Sequence, residues 1–471
     1  FFAILKTSDV FTVLRETPGH VWFYSYLFGL LWGFGGLTFG LTMRYLGMSL
    51  GMAVALGYCT VFGTLIPPLF RGEFMTKLID PVSGRWVLAG LGVCVLGIIV
   101  TAVAGHTKEV EMSAEDKRNT VKEFDFKKGL LVATFSGIMS ACFAFGLSAG
   151  DPVREITLNV DMVHSAAKEG KTVERARPPS AEETKALLES LAPASLFAKP
   201  GDASLGGVVR LLEQPLVSRS KLAGTPDAAA TAKLQAELPE AEAKAAAAMA
   251  ALGASPAPLA KRVTTYEGRF RELAADPRKL TIVHEMTTLA EKETALAVVA
   301  AGADLIDIHD KHSLWTGLPV LIIVLLGGFT TNFVWCVLLN FRNRTGYQYF
   351  TAKPRENTPP VTPVANGEKF DGRTDPTPVP LFNNYLFSAM AGITWYFQFF
   401  FYSMGETQMG QYKFSSWTLH MASIIIFSSM WGLALGEWRG ASHKAKGLLL
   451  GGIGVLILAT LVVGYGNYLA R

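Results

Sequence analysis

Charged residues are scarce in this chain of 471 amino acids. Lys, Arg, Asp and Glu together make up 17% of the sequence, whereas hydrophobic residues make up 50%. Soluble domains usually carry about 25% charged residues, and disordered chains are poor in hydrophobic ones, so a disordered chain is excluded. The net charge of +4 is too small to favour a nucleic-acid partner. The composition instead favours an integral membrane protein that has the lipid bilayer as its surroundings.

Cysteine is also sparse, and its pattern predicts neither disulfides nor a metal site. All four cysteines fall within strongly apolar stretches, where a thiol behaves as a small hydrophobic side chain. These residues are Cys59, Cys94, Cys142 and Cys336. The sequence has no phosphate-binding glycine loop of the ATPase type and no pairing of a nucleophile with a base. We therefore expect no ATP-driven transport, no enzyme activity, no metal and no cofactor.

Long apolar runs divide the chain into three parts. A helix that crosses the bilayer core needs about 20 mostly apolar residues, and eight stretches meet this requirement. The predicted spans are 22–43, 48–70, 86–105, 129–150, 316–340, 384–404, 418–436 and 448–469. We therefore predict an N-terminal membrane block at 1–150 and a C-terminal membrane block of four helices at 314–471. Residues 151–313, rich in Ala, Glu, Lys and Pro, are predicted to form a mainly helical soluble insertion.

Lysine and arginine are distributed unevenly among the short loops. One alternating set of loops carries most of these residues: Arg44, Lys108, Lys117, Arg118, Lys122, Lys127, Lys128, Arg342, Arg344, Lys353, Arg355, Lys369, Arg373, Arg439, Lys444 and Lys446. The other set carries Arg71, Lys77, Arg85 and Lys413. Positively charged short loops stay in the cytoplasm. We therefore predict that the first set is cytoplasmic and that the insertion at 151–313 lies outside the cytoplasm.

Polar side chains within membrane spans are candidates for function, because they need partners inside the bundle or in a water-filled path. No Asp or Glu falls in the middle of a predicted span. Asp151, Glu406 and Glu437 lie near span ends, where we expect water to reach them. The sequence therefore reveals no buried carboxylate that would couple transport to a proton.

The two spans around residues 395–421 carry the most suggestive polar groups. Gln398 lies among aromatic side chains, which offer both stacking faces and hydrogen-bonding partners and are typical of a sugar site. These aromatic residues are Trp395, Tyr396, Tyr402 and Trp417. An aromatic-rich span also packs against lipid or protein, and this second interpretation stays open. His420 is the histidine of these spans, and its imidazole suits either proton transfer or a structural hydrogen bond.

Three sequence runs resemble one family closely. Residues 39–49 match the run Tyr-Gly-Leu-Thr-Met-Arg-Tyr-Leu-Gly-Met-Ser with Phe39 in place of Tyr. Residues 395–402 are similar to Trp-Tyr-Leu-Gln-Phe-Phe-Phe-Tyr, and residues 416–422 to Ser-Trp-Met-Leu-His-Met-Ser. These runs belong to the bacterial L-rhamnose/proton symporter family of the drug/metabolite transporter superfamily. Asn332 also falls where that family has an asparagine in the helix after its central loop.

The resemblance implies an architecture and an activity. It implies a helical bundle of ten spans in two inverted five-helix repeats, with the substrate site between the repeats. Eight of these spans are recognisable here, and we expect the family's first helix and most of its second to be missing ahead of Phe1 by truncation. The implied activity is secondary active uptake of L-rhamnose or a related deoxy sugar with a proton across the bacterial inner membrane. The insertion at 151–313 has no counterpart in the family, and we leave open whether it caps the pathway, captures substrate or binds an unknown periplasmic partner.

The candidate site residues follow from the polar and aromatic side chains in the spans and from the family resemblance. The predicted sugar-binding residues are Gln398, Asn332, Trp395, Tyr396, Tyr402 and Trp417. His420 is the proton-coupling candidate. Two other hypotheses remain: a transporter of the same fold that carries another small metabolite, and a membrane sensor whose insertion binds a ligand.

Overall fold

The computed structural model describes residues 1–46, 48–111, 125–191, 204–224, 228–352, 380–436 and 438–469. The regular secondary structure of these residues is helical, which confirms the predicted all-α class. Some residues used above lie outside the described residues: Lys117, Arg118, Lys122, Lys353, Arg355, Lys369, Arg373 and Glu437.

The helices are numbered in chain order over the described residues. The N-terminal part contains α1 (Phe2–Lys6), α2 (Val10–Glu16), α3 (Gly19–Leu46), α4 (Met48–Phe70), α5 (Val82–Glu111) and α6 (Phe126–Ala149). The middle part contains α7 (Asp151–Lys168), α8 (Ala181–Leu191), α9 (Leu205–Gly224), α10 (Ala228–Ala254), α11 (Pro258–Glu272), α12 (Pro277–Glu285), α13 (Leu289–Ala300) and α14 (Leu305–His312). The C-terminal part contains α15 (Leu318–Asn343), α16 (Leu381–Thr407), α17 (Ser416–Ala434) and α18 (His443–Tyr468).

Seven of the eight predicted spans fall in helices that are long and apolar enough to cross a membrane. These helices indicate a multi-pass membrane protein. The remaining span, predicted at 384–404, forms a helix of 27 residues, α16, but this helix is not among the seven. Its polar side chains, including Asn383, Asn384 and Gln398, lower its hydropathy. Whether α16 spans the membrane therefore stays a prediction.

Close backbone contacts at glycine hold the membrane helices together. A Cβ atom on Gly29 of α3 would lie 2.1 Å from the carbonyl oxygen of Val324 in α15. A Cβ atom on Gly90 of α5 would lie 2.5 Å from the side chain of Val463 in α18. Small residues allow this approach, which provides much of the van der Waals packing between helices in lipid. These contacts order the helices that surround the candidate site.

The insertion continues directly from the membrane bundle. Only Gly150 separates α6 from α7. Val153 and Val160 of α7 pack in the cluster that centres on the membrane helices, whereas Met162 and Ala166 of the same helix pack in the core of the insertion. Helix α7 therefore connects the membrane bundle to the insertion, because its side chains pack in the cores of both.

The insertion has a core of its own, built from α7 to α14. These helices confirm the prediction that the insertion is mainly helical. Tyr266 and Phe270 are buried at the centre of this core. Because the core is built from many short amphipathic helices, the insertion packs against itself rather than spanning lipid.

A buried carboxylate lies inside this core. The Glu213 side chain is 1% exposed and accepts hydrogen bonds from Tyr266 and from Lys292 Nζ, the latter at 2.8 Å. His284 Nδ1 lies 2.7 Å from the other carboxylate oxygen. Burial raises the pKa of Glu213, but the hydrogen bonds from His284 and Lys292 and the lysine charge outweigh it and hold the pKa below its usual value. The carboxylate is therefore ionised and fully paired at neutral pH.

Candidate functional site

Helices α16 and α17 form a hairpin that carries six of the seven predicted site residues. The 3₁₀ turn Gly410–Ser415 joins the two helices and reverses the chain. The hairpin places Gln398 opposite His420, with Gln398 Nε2 at 3.1 Å from His420 Nε2. The amide nitrogen of Gln398 donates, so His420 Nε2 is the unprotonated, accepting nitrogen of the imidazole. Two polar side chains predicted from separate sequence runs thus form one hydrogen-bonded pair.

Aromatic rings surround this pair. The ring centroids of Tyr402, Trp417 and Phe399 lie 4.7, 5.4 and 6.2 Å from that of His420. Trp417 is only 3% exposed, and its Nε1–H donates to the carbonyl oxygen of Cys59 at 3.0 Å. This bond fixes the Trp417 ring in place. The imidazole is therefore held among fixed aromatic rings, while the Gln398 amide beside it is exposed.

Trp395 extends the aromatic surface to the next turn of α16 and to α3. Its ring stacks on that of Trp32 with centroids 5.5 Å apart and an interplanar angle of 13°, and it meets Phe399 edge-on at 4.8 Å. Trp395 is 47% exposed, so its ring remains accessible. A Cβ on Gly328 of α15 would lie 2.6 Å from the Trp32 ring. Trp32 is therefore held between α15 and α16, and sequence reasoning missed it.

Two predicted residues are not in contact with the Gln398–His420 pair. Tyr396 lies on another face of α16, where its ring stacks on Phe2 at 6.2 Å. Asn332 is exposed on α15, and its amide donates to the carbonyl oxygen of Gly328 at 2.9 Å. Asn332 is one turn from Gly328 and so lies near the Trp32 contact.

The expectation that water reaches Glu406 was wrong. Its side chain is 8% exposed and accepts a hydrogen bond from Arg154 Nη2 at 2.6 Å, and the Arg154 side chain is 4% exposed. Asp151 lies 3.4 Å from Arg154 Nε and also pairs with Arg71. Glu406 is buried because α7 continues past Gly150 and packs beside the end of α16. Sequence reasoning missed the pair because its members are 252 residues apart.

No cluster of three or more residues suited to a metal ion occurs among the residues that the structure describes. Three of the four free cysteines, Cys59, Cys94 and Cys142, are buried, and Cys336 is exposed. The described site offers hydrogen-bonding groups, aromatic faces and the ion pairs of Arg154 with Glu406 and Asp151.

The fold and the site together define a multi-pass helical membrane protein with a mixed aromatic and polar site between helices. Residues 11–168 and 376–469 match the family model described as L-rhamnose-proton symport protein (RhaT). The chain belongs to this family. Its members are symport proteins, which confirms the resemblance and the prediction of a transporter rather than an enzyme.

Curated relatives align over most of the chain. The L-rhamnose-proton symporter of Yersinia pestis (strain Pestoides F) is 25% identical over 445 residues, which cover 94% of this chain and 77% of the relative. The L-rhamnose-proton symporter of Enterobacter sp. (strain 638) is 24% identical over the same length, with the same coverage of both chains. No solved structure matches the chain significantly.

The matched residues include most of the site. Trp32, Arg154, Glu406 and the predicted residues of α16 and α17 lie within the two matched stretches. Asn332 lies between them, in the stretch 169–375 that the family model does not match.

Proposed function

We propose that this protein takes up L-rhamnose or a related deoxy sugar together with a proton, across the bacterial inner membrane. The observation that carries the proposal is the family match over residues 11–168 and 376–469, which includes the Gln398–His420 pair. The relatives named as L-rhamnose-proton symporters support the choice of sugar and ion. The family match also favours transport over the sensor hypothesis.

The chemistry of the site suits a 6-deoxy sugar, which presents one methyl group and several hydroxyls. The exposed ring of Trp395, held edge-on by Phe399, offers an apolar surface for the methyl group and the C–H faces of the sugar. An amide has one acceptor oxygen and two donor hydrogens, and the contact with His420 uses only part of this capacity. The rest of the Gln398 amide is available for sugar hydroxyls. Tyr402 and Trp417 line the site and hold the His420 ring between them.

Asn332 and Tyr396 are proposed as outer contacts of the site. Asn332 retains an amide oxygen for a hydroxyl while its nitrogen bonds to Gly328. Tyr396 presents a half-buried ring on the neighbouring face of α16. Both residues would complete the site as α15 and α16 move relative to each other during transport.

We propose the rest of the architecture on the same basis. Helix α16 is the eighth span, and the membrane helices are arranged as inverted repeats of the drug/metabolite transporter type. The division at 1–150, 151–313 and 314–471 separates two membrane blocks from an insertion outside the cytoplasm. The separate core of the insertion supports this division, as does the positive charge of the opposite loops. An unknown periplasmic partner remains one role for the insertion.

Sugar uptake tests the proposed function directly. Membrane vesicles that contain the full-length protein are given radiolabelled L-rhamnose with and without an imposed inward proton gradient. For one proton per sugar, a gradient of about 2 pH units supports accumulation up to about 100-fold, since one pH unit and a tenfold concentration ratio are equivalent in free energy. L-mannose, which differs from L-rhamnose by a hydroxyl in place of a hydrogen on C6, is the matched control sugar. Lack of gradient-driven accumulation by folded protein would overturn the proposal.

A further inference from the structure

A buried ion pair closes one end of the bundle above the candidate site. Arg154 on α7 and Glu406 on α16 meet at 2.6 Å. Glu406 lies two helical turns beyond Gln398 on the same helix, and Tyr402 lies one turn from each. This end of α16 is the one that the loop charges assign to the outside. The ion pair therefore lies between the sugar site and the outer water.

The packing around this ion pair leaves no room for a sugar. A Cβ atom on Gly317, just before α15, would lie 2.1 Å from Ser403 Oγ and 2.8 Å from Arg154 Nη1. Both of these polar atoms are buried and have no hydrogen-bond partner within the described part of the chain. A substrate hydroxyl therefore has no space beside these two atoms while the ion pair is formed.

Burial along α16 is concentrated toward the end that contains Glu406. Phe399, Phe400, Ser403 and Glu406 are buried, whereas Trp395 is 47% exposed. The ion pair therefore lies in the buried part of this helix, on the outer side of Gln398.

Several titratable groups surround the Arg154–Glu406 ion pair. They are Asp151, Glu155, Glu291, Arg71, Lys413 and the phenol of Tyr402, and Glu73 faces Arg71 in turn. Asp151 lies 3.4 Å from Arg154 Nε, so the guanidinium keeps a carboxylate partner when Glu406 takes up a proton. Glu406 is carried on α16, so its charge state acts directly on the helix of the sugar site.

We propose that Glu406 binds the coupled proton and that its ion pair with Arg154 is the outer gate of the pathway. This inference rests on the proposed symport function. A proton from the outer water adds to a carboxylate oxygen of Glu406, and the neutral carboxyl loses its ionic attraction to Arg154. The end of α16 then separates from α7, and sugar reaches Gln398. The proton leaves toward the cytoplasm with the sugar, and the ion pair forms again.

If Glu406 binds the coupled proton, the role of His420 is to bind the sugar. Its contacts are the Gln398 amide and the rings of Phe399, Tyr402 and Trp417. Over the residues that the structure describes, His420 has no ion-pair contact with a carboxylate, so an imidazolium would have no partner there. Glu406 has such a partner in Arg154.

Glu406→Gln mimics the protonated acid and cannot release a proton. In proteoliposomes, this variant is expected to exchange internal for external L-rhamnose while its accumulation ratio under a proton gradient falls to about one. Glu406→Asp keeps a titratable group and is expected to retain accumulation. The matched control Glu240→Gln removes an acid from an ion pair with Lys244 on α10 in the insertion, and is expected to accumulate sugar normally. Accumulation by Glu406→Gln, or loss of both exchange and accumulation by it, would overturn the inference.

A labelling experiment tests the gate without reference to the sugar. Ser403→Cys, made together with Cys336→Ser to remove the exposed native thiol, places a thiol directly behind the ion pair. A membrane-impermeant thiol reagent added outside is expected to react at least about tenfold faster when Glu406→Gln is also present, because the gate is then open more often. Equal rates with and without Glu406→Gln would overturn the gate. If the wild-type protein moves no L-rhamnose but the labelling rates differ, the proposed function fails and the gate stands.

Discussion

Replacing Gln398 by Leu is expected to weaken L-rhamnose binding by about 5- to 150-fold. The substitution keeps an apolar side chain of similar size but removes the amide that lies 3.1 Å from His420 Nε2. A buried sugar hydroxyl and the imidazole would then each lack a hydrogen-bond partner. Leaving such a group unpaired costs about 1–3 kcal/mol, and each 1.4 kcal/mol corresponds to a factor of ten in the dissociation constant.

Isothermal titration calorimetry of the full-length protein in detergent measures this effect. Gln408→Leu is the matched control, because Gln408 is an exposed amide at the end of the same helix. Near-ultraviolet circular dichroism checks that the tryptophan environments of the variants are unchanged. A change in affinity below about twofold for a folded Gln398→Leu protein would refute a role of this amide in sugar binding. Equal weakening by Gln408→Leu would show that the loss does not arise at the site.

Three further changes have expected outcomes. His420→Ala should abolish proton-driven accumulation of L-rhamnose in vesicles while the protein still folds, and unchanged uptake would remove His420 from the mechanism. Gly63→Ala should lower rhamnose affinity, because its Cβ would lie 2.2 Å from Trp417 Nε1, whereas Gly57→Ala meets no atom within 4 Å and should leave titration calorimetry unchanged. Glu213→Ala should lower the free energy of unfolding in urea by about 3–5 kcal/mol at neutral pH, because a buried ammonium group loses its carboxylate. Folding lowers the pKa of Glu213, so its contribution to the free energy of unfolding is fully present above the ordinary pKa of 4.5. This contribution is lost as the pH falls through the lowered pKa. Equal stability of the variant and the wild type at pH 7 would contradict the prediction.

The sequence predicted the helices, and it singled out both Gln398 and His420 as candidates, for identifiable reasons. Long apolar runs specify membrane helices because lipid leaves the backbone few alternatives. Gln398 and His420 lie on helices joined by a short turn, so local chain geometry alone brings them together. The span predicted at 384–404 is the one whose helix, α16, has too low a hydropathy to count among the seven candidate spans. Polar side chains such as Gln398 lower it.

The Arg154–Glu406 ion pair and the Trp32 contact were beyond sequence reasoning. The ion pair depends on the direction that α7 takes after Gly150, which no local pattern specifies. The position of Glu406 near the end of a span suggested water, whereas packing against α7 buries it. Trp32 joins the site through the packing of α3 against α15, and this tertiary contact leaves no periodic signal in the sequence.

Proton movement that depends on sugar tests the central claim most directly. The full-length protein is reconstituted into liposomes with equal pH on both sides in weak buffer, and the external pH is recorded after L-rhamnose is added outside. Symport predicts a rise in external pH, because protons enter with the sugar, and no rise in liposomes without protein. Entry of radiolabelled L-rhamnose with no change in external pH would contradict proton coupling, and the absence of both would contradict the proposed transport itself.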